Sequence, residues 1–301
     1  MRIAWIVAVL ACLAEPSLAQ SPVPVADPAL VARGSYLVNA VAACVNCHSP
    51  KDEQGRPTPA NTLSGGGVWF SAPAFTVYPP NITPDVQTGI GSWSEDDIRR
   101  ALLEGVRPAH DALPNVPLAP VMYKSYFRAL MPRDLDAIVA YLRTVPAVRH
   151  AVPAPQYRAF APAAPSPDGD RVYTQADMKD PVQRGHYLST VAHCMACHSG
   201  RAGPVSDHAN ALGKGGWVLD SNLIHGYPPE WKSSNVPNIT SDPVAGIGRW
   251  TDEQIRLALT EGISKDGRAL KPPMAYSAYA QWTQGDLADL IAYLRTLRPL
   301  R

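Results

Sequence analysis

The chain is a sequence written twice, and that duplication constrains its fold more than any other feature. Arg33-Gly34-Ser35-Tyr36-Leu37 leads into Cys44-Val45-Asn46-Cys47-His48, and Arg184-Gly185-His186-Tyr187-Leu188 leads into Cys194-Met195-Ala196-Cys197-His198, 150 residues later. Asn81-Ile82-Thr83-Pro84-Asp85 with Gly89-Ile90-Gly91-Ser92-Trp93 returns as Asn238-Ile239-Thr240-Ser241-Asp242 with Gly246-Ile247-Gly248-Arg249-Trp250 at an offset of 157. Met122, Asp134 and Ala140-Tyr141-Leu142-Arg143-Thr144 return as Met274, Asp286 and Ala292-Tyr293-Leu294-Arg295-Thr296 at an offset of 152. Order, spacing and residue type agree, so the chain consists of two homologous units.

Each unit reads as helical. Asp27-Pro28 and Asp180-Pro181 place a capping aspartate before a proline at the first helical position. Ser94-x-x-Asp97 and Thr251-x-x-Gln254 are capping boxes or close variants, followed by Ile98, Ala101, Leu102 and by Ile255, Ala258, Leu259 at helical spacing. A final helix carries Leu135, Ile138, Val139 and Leu142 in one unit, and Leu287, Leu290, Ile291 and Leu294 in the other. The expected fold class is all-α, with two tandem domains of short helices separated by long loops. So little apolar helix for so much chain implies that something else fills each centre.

The ends of the units follow from composition. Arg2, the apolar stretch Ile3–Ala14 and Ser17-Leu18-Ala19 have the form of a secretory leader cut before Gln20, too short to span a membrane. A rival reading makes Cys12 a lipoprotein anchor. Residues 151–170 hold five prolines and six alanines, the composition of a semi-rigid linker. The expected division is therefore a leader at 1–19, a first domain at 20–150, a linker at 151–175 and a second domain at 176–301. With 27 Lys+Arg against 26 Asp+Glu, the chain lacks the basic excess of a nucleic-acid binder. No apolar run reaches the ~18 residues of a membrane span.

Cys-x-x-Cys-His is the attachment signal for c-type haem: two thiols add to the vinyl groups, and the abutting histidine is positioned to ligate iron. It occurs at matching places in both units and accounts for every cysteine after the leader: Cys44, Cys47, Cys194 and Cys197. Structural zinc would combine such pairs at short separation, and thioredoxin-like chemistry has no use for the histidine. Disulfides suit an exported chain but leave His48 and His198 unexplained. The expected cofactors are two covalent haem c groups. For the opposite iron face, Met122 and Met274 are the methionines that match between the units, each two residues after a proline. A methionine ligand leaves iron six-coordinate, as suits electron transfer. His110 is the competitor in the first unit; it has no histidine counterpart in the second and otherwise reads as a loop residue. The Asn-Ile-Thr segments match the glycosylation sequon, yet their recurrence fits turn chemistry better. Trp93 and Trp250 are supporting residues, for haem contact or ordinary packing. The stretch from His198 to Asn238 is 40 residues, against 33 from His48 to Asn81, and contains Tyr227-Pro228-Pro229-Glu230-Trp231. That loop is either an anchor for a partner or a fold-filling segment.

With these motifs assembled, both halves resemble the class I cytochrome c superfamily. Asn-Ile-Thr-x-Asp with Gly-Ile-Gly-x-Trp resembles more narrowly the multihaem cytochrome c subunits that accompany periplasmic alcohol and gluconate dehydrogenases and some molybdenum hydroxylases. The resemblance implies His48 with Met122 and His198 with Met274 as axial pairs. It also implies a periplasmic diheme carrier that takes electrons from a dehydrogenase and passes them to a quinone- or oxidase-linked acceptor, with no catalytic residues of its own. Such subunits commonly carry three haem motifs and a membrane-associating C-terminal segment; here two motifs are present and no anchor is expected in the stretch up to Arg301. The alternative is a diheme cytochrome c peroxidase, which needs unlike haem environments, whereas these halves repeat the same methionine.

Overall fold

A computed structural model describes residues 27–301, apart from positions 112, 114, 115, 123, 160–165 and 169. The expected leader, with Cys12, lies outside the described residues. The first unit contains helices α1 (Pro28–Tyr36), α2 (Cys44–His48), α3 (Glu95–Glu104), α4 (Lys124–Phe127) and α5 (Pro132–Thr144). The second contains α6 (Pro181–Val191), α7 (Cys194–His198), α8 (His208–Ala211), α9 (Asp252–Thr260), α10 (Tyr276–Tyr279) and α11 (Gln284–Thr296). The start signals act as their chemistry requires. Asp27 and Asp180 accept from the amides of Ala29 and Gln183, both at 2.9 Å, and Ser94 and Thr251 close reciprocal capping boxes with Asp97 and Gln254. The apolar stripes of α5 and α11 are buried along their whole length.

The expectation of an all-α fold is corrected by eight short strands among the described residues, all paired antiparallel. β1 (Trp69–Ala72) and β2 (Phe75–Val77) form a hairpin, flanked on one side by β3 (Gln156–Tyr157) and on the other by β7 (Ile224–His225), in the order β3-β2-β1-β7. β4 (Arg201–Ala202) pairs with β5 (Val205–Ser206), and β6 (Val218–Asp220) with β8 (Ser233–Asn235). The runs Trp69-Phe70 and Phe75-Thr76-Val77 are aromatic and β-branched, which favours a pleated, half-buried surface. The larger sheet also crosses between the units: Trp69 faces His225 in register, and their rings stack 3.5 Å apart at 6°. Linker residues complete it, since β3 pairs with β2 and the Arg158 guanidinium donates to the carbonyls of Ala72 (2.6 Å) and Pro73 (3.0 Å).

In each unit the first long helix packs on the last, α1 on α5 and α6 on α11. The crossing is so close that a Cβ on Gly34 would lie 1.8 Å from the Ala137 carbonyl oxygen, and one on Gly185 1.9 Å from that of Asp289. This accounts for the glycine in both copies of Arg-Gly-x-Tyr-Leu. The arginine before it pairs within its own unit. Arg33 Nε and Nη2 donate to the two carboxylate oxygens of Asp134 at 2.8 and 2.7 Å, and Arg184 pairs with Asp286 and Asp289.

The tyrosine of the same motif crosses to the other unit. Tyr187 Oη donates to Asp134 Oδ2 at 2.6 Å and accepts from the Met131 amide at 3.4 Å; Tyr36 Oη donates to Asp286 Oδ2 at 2.6 Å and accepts from the Thr283 amide at 3.2 Å. Residues 131 and 283 precede α5 and α11, so each unit's tyrosine helps cap the final helix of the other. Burial first, and the carboxylate bond second, push the Tyr36 phenol up to about 12, which keeps it a donor. The short helices repeat this reciprocity: α4 packs on α6, and α10 packs on the buried π-turn Leu37–Val41 that continues α1.

Removing either hydroxyl leaves a buried carboxylate short of a donor. Tyr36→Phe and Tyr187→Phe are each expected to lower unfolding stability by about 1–3 kcal/mol, measured by chemical denaturation. The cost should be larger for Tyr187, which is 1% exposed.

Candidate functional site

The two Cys-x-x-Cys-His segments become single-turn helices because the chain reverses just before them. Ala43 and His193 take left-handed conformations, with φ of 50° and 46°, which stop the preceding helix and restart it as α2 and α7. A one-turn helix brings both sulfurs of a pair to one side. Among the described residues no disulfide joins the four cysteines. Burial pushes the Cys44 thiol up to about 12 and the Cys194 thiol up to about 11. Cys47 and Cys197 pack against a shared small core of Val68, Leu219, Ile224, Trp231 and Val236 between the units.

The histidines are buried, 5% exposed at His48 and 7% at His198. His48 Nδ1 lies 2.8 Å from the Pro80 carbonyl oxygen, and His198 Nδ1 lies 3.0 Å from that of Pro237. A carbonyl can only accept, so Nδ1 carries the proton and Nε2 is left with its lone pair, as a metal-ligating imidazole requires. Burial lowers the proton affinity of both rings and holds them neutral.

The recurring Asn-Ile-Thr follows each of these prolines and holds its carbonyl in place. Asn81 Oδ1 accepts from the Thr83 amide (2.9 Å) and hydroxyl (2.7 Å), while its Nδ2 donates to Val148 O at 2.7 Å. Asn238 Oδ1 accepts from the Thr240 amide (2.8 Å) and hydroxyl (2.7 Å), and its Nδ2 donates to Leu300 O at 2.6 Å. The loop that orients the histidine is thus tied to the chain leaving the final helix. Asn81 is 2% exposed, as turn chemistry requires and a glycan does not permit. The next repeated segment is held by the same helix: Arg143 donates to the carbonyls of Ile90 and Trp93, and Arg295 to that of Trp250.

Cys44, Cys47, His48 and Met122 line a cavity of about 850 Å³ together with Cys194, Cys197, His198 and Met274. Met122 ends a 3₁₀ turn at Pro120–Met122, and Met274 follows Pro272-Pro273. Both are half-buried against the main core. Trp93 and Trp250 stand on the cavity wall as well. His110 does not line it; its ring is half-exposed, with Nε2 3.2 Å from the Ser92 carbonyl oxygen. Sequence reasoning passed over Arg107, which lies in the stretch where the first unit is longer and so has no repeat partner to flag it. Arg107 lines the cavity, and its buried Nε has no hydrogen-bond partner among the described residues.

These residues fit a haem. The paired thiols supply the attachment points, the histidines present Nε2, and the orphaned guanidinium nitrogen matches the carboxylates that haem carries. Among the described residues, no three His, Cys, Asp or Glu side chains gather to hold a bare metal ion, and no helix is long and apolar enough to cross a membrane.

Comparison with known proteins gives a consistent result. The family model described as cytochrome c matches residues 31–146 and again 182–298. The chain is similar to the cytochrome c subunit of gluconate 2-dehydrogenase from Pantoea cypripedii, 32% identical over 305 residues, covering 90% of this chain and 60% of that protein. It is similar to the cytochrome c subunit of alcohol dehydrogenase (quinone) from Gluconacetobacter polyoxogenes, 29% identical over 321 residues, covering 100% and 62%. A diheme cytochrome c-type protein from Cereibacter sphaeroides is 28% identical over 274 residues, covering 84% and 81%. The chain thus spans about three fifths of the length of the first two relatives.

The asparagines should matter more than surface turn residues. Asn81→Ala removes a buried side chain that satisfies both the Thr83 amide and a distant carbonyl, and is expected to cost about 1–3 kcal/mol, read as a lowered thermal midpoint.

Proposed function

Because the chain belongs to the cytochrome c family, with one family segment around each Cys-x-x-Cys-His and two covalently bound haem c groups as its cofactors, we propose that it is a periplasmic diheme carrier serving a partner dehydrogenase. Electrons would leave for a quinone- or oxidase-linked acceptor. The observation that carries this reading is the repetition of one set of side chains: a carbonyl-tethered histidine and a matching methionine in each unit, on the wall of one cavity. When bound, haem c supplies a one-electron iron couple.

The chain's own residues have three tasks. Cys44, Cys47, Cys194 and Cys197 hold the groups covalently. His48 with Met122 and His198 with Met274 would ligate the two irons, the histidines kept neutral by burial and aimed by Pro80 and Pro237. The apolar walls, including Ile90, Trp93, Ile247 and Trp250, exclude water. Two thioether ligands of the same kind support electron transfer rather than peroxide cleavage, which needs an iron position that opens. We place the first domain at 20–150, the linker at 151–175 and the second domain at 176–301, preceded by a leader at 1–19.

Two measurements test this reading. In the ferric protein, Met122→Ala should remove about half of the methionine-to-iron charge-transfer absorbance, Met274→Ala the other half, and the pair all of it, if each haem contributes one such ligand. A band that survives the double substitution overturns the axial assignment, and peroxide turnover by a high-spin wild-type protein overturns the carrier. The intact mass of protein recovered from the periplasm should correspond to a chain beginning at Gln20 plus two haems; a mass retaining residues 1–19, or beginning with an acylated Cys12, would overturn the cleavage site.

A further inference from the structure

The loop containing Tyr227-Pro228-Pro229-Glu230-Trp231, a candidate partner anchor by its sequence, is folded inward. Trp231 is buried, and the Tyr227 ring meets it edge-on at 5.3 Å. On its other side, Tyr227 faces the first unit, where the Lys51 ammonium stands 5.2 Å from the ring centroid. Lys51 Nζ in turn donates to Asn46 Oδ1 at 2.8 Å, and Asn46 lies between Cys44 and Cys47.

These groups converge on the two peptide carbonyls just ahead of Met274. Asn46 Nδ2 donates to Pro273 O at 3.3 Å, and Tyr227 Oη donates to the same oxygen at 3.4 Å. Ser234 Oγ donates to Pro272 O while accepting from Trp231 Nε1 at 2.9 Å. The methionine segment of the second unit is therefore held partly by its own longer loop and partly by the cysteine turn of the first. The mirror-image bond cannot form from the matching position, because Ala196 stands where Asn46 does and has no side-chain donor.

We propose that Asn46 and Tyr227 are positioning residues for Met274, so that methionine ligation at the second haem depends on the first unit's cysteine turn. The inference rests on Met274 being an axial ligand. Proline removes the amide donors at 272 and 273, so this segment's carbonyls are its means of attachment to the surrounding structure. Pinning both carbonyls limits the excursions that would carry the sulfur away, and the weak thioether ligand is the one an external base displaces first.

The test uses the holoprotein carrying Met122→His, which leaves Met274 as the source of the charge-transfer band. Ferric protein is titrated with imidazole, and loss of the band is followed. Adding Asn46→Ala and Tyr227→Phe is expected to tighten imidazole binding by about tenfold, the scale of one or two modest hydrogen bonds. The thermal midpoint is recorded alongside, since a merely structural role would lower it without changing imidazole affinity. Alanine already occupies the matching position 196, and phenylalanine keeps the ring over Lys51. If the pair nevertheless fails to retain haem, Tyr227→Phe alone is titrated, with a smaller shift of the same sign expected. Unchanged imidazole affinity, together with loss of the band when Met274→Ala is added to Met122→His, overturns the clamp and leaves the ligation standing. A band that persists when Met274→Ala is added to Met122→His overturns the ligation reading and the clamp with it.

Discussion

The hydrogen bond from each histidine Nδ1 to a proline carbonyl is the constraint on which the rest of the structure turns. It fixes the tautomer, and through it the direction in which Nε2 presents its lone pair. A carbonyl in a loop can do this only if the loop cannot move. Asn81 and Asn238 supply that rigidity by joining a local turn to the chain beyond the last helix. That helix is held in turn against the first by the close crossings at Gly34 and Gly185. Histidine, asparagine loop, final helix and opening helix thus form one mechanical sequence in each unit, and the duplicated segments are its contact points.

Much of this could be read from residues alone because it is local or repeated. The caps at Asp27, Ser94, Asp180 and Thr251 depend on neighbours within a few positions, and the apolar stripes of α5 and α11 on helical spacing. The eight candidate site residues line one cavity, whereas the repeat by itself implies one centre for each unit. The strands escaped notice for the opposite reason. They are two to four residues long, shorter than any periodicity can reveal, and β1 pairs with β7 across about 155 residues of chain. Prolines mark the linker but say nothing of β3 or of Arg158 grasping the hairpin.

The departures from symmetry are as informative as the repeats. Arg107 and Tyr227 sit in stretches that are longer in one unit than in the other, so the repeat assigns neither of them a role. Tyr36 and Tyr187 were visible as a repeat, but their partners were not, because no spacing rule says that a side chain serves the other copy. A buried guanidinium nitrogen without a partner is also invisible to sequence, since orphaned groups are defined by what surrounds them.

The exchanged tyrosines also bear on assembly. Because each copy satisfies the buried carboxylate of the other, the contact between units is isologous in kind, related by an approximate two-fold rather than by a head-to-tail step. A surface of that type closes after two members. An array of such units could not grow by repeating the same contact, and a third copy would have to attach through a different face.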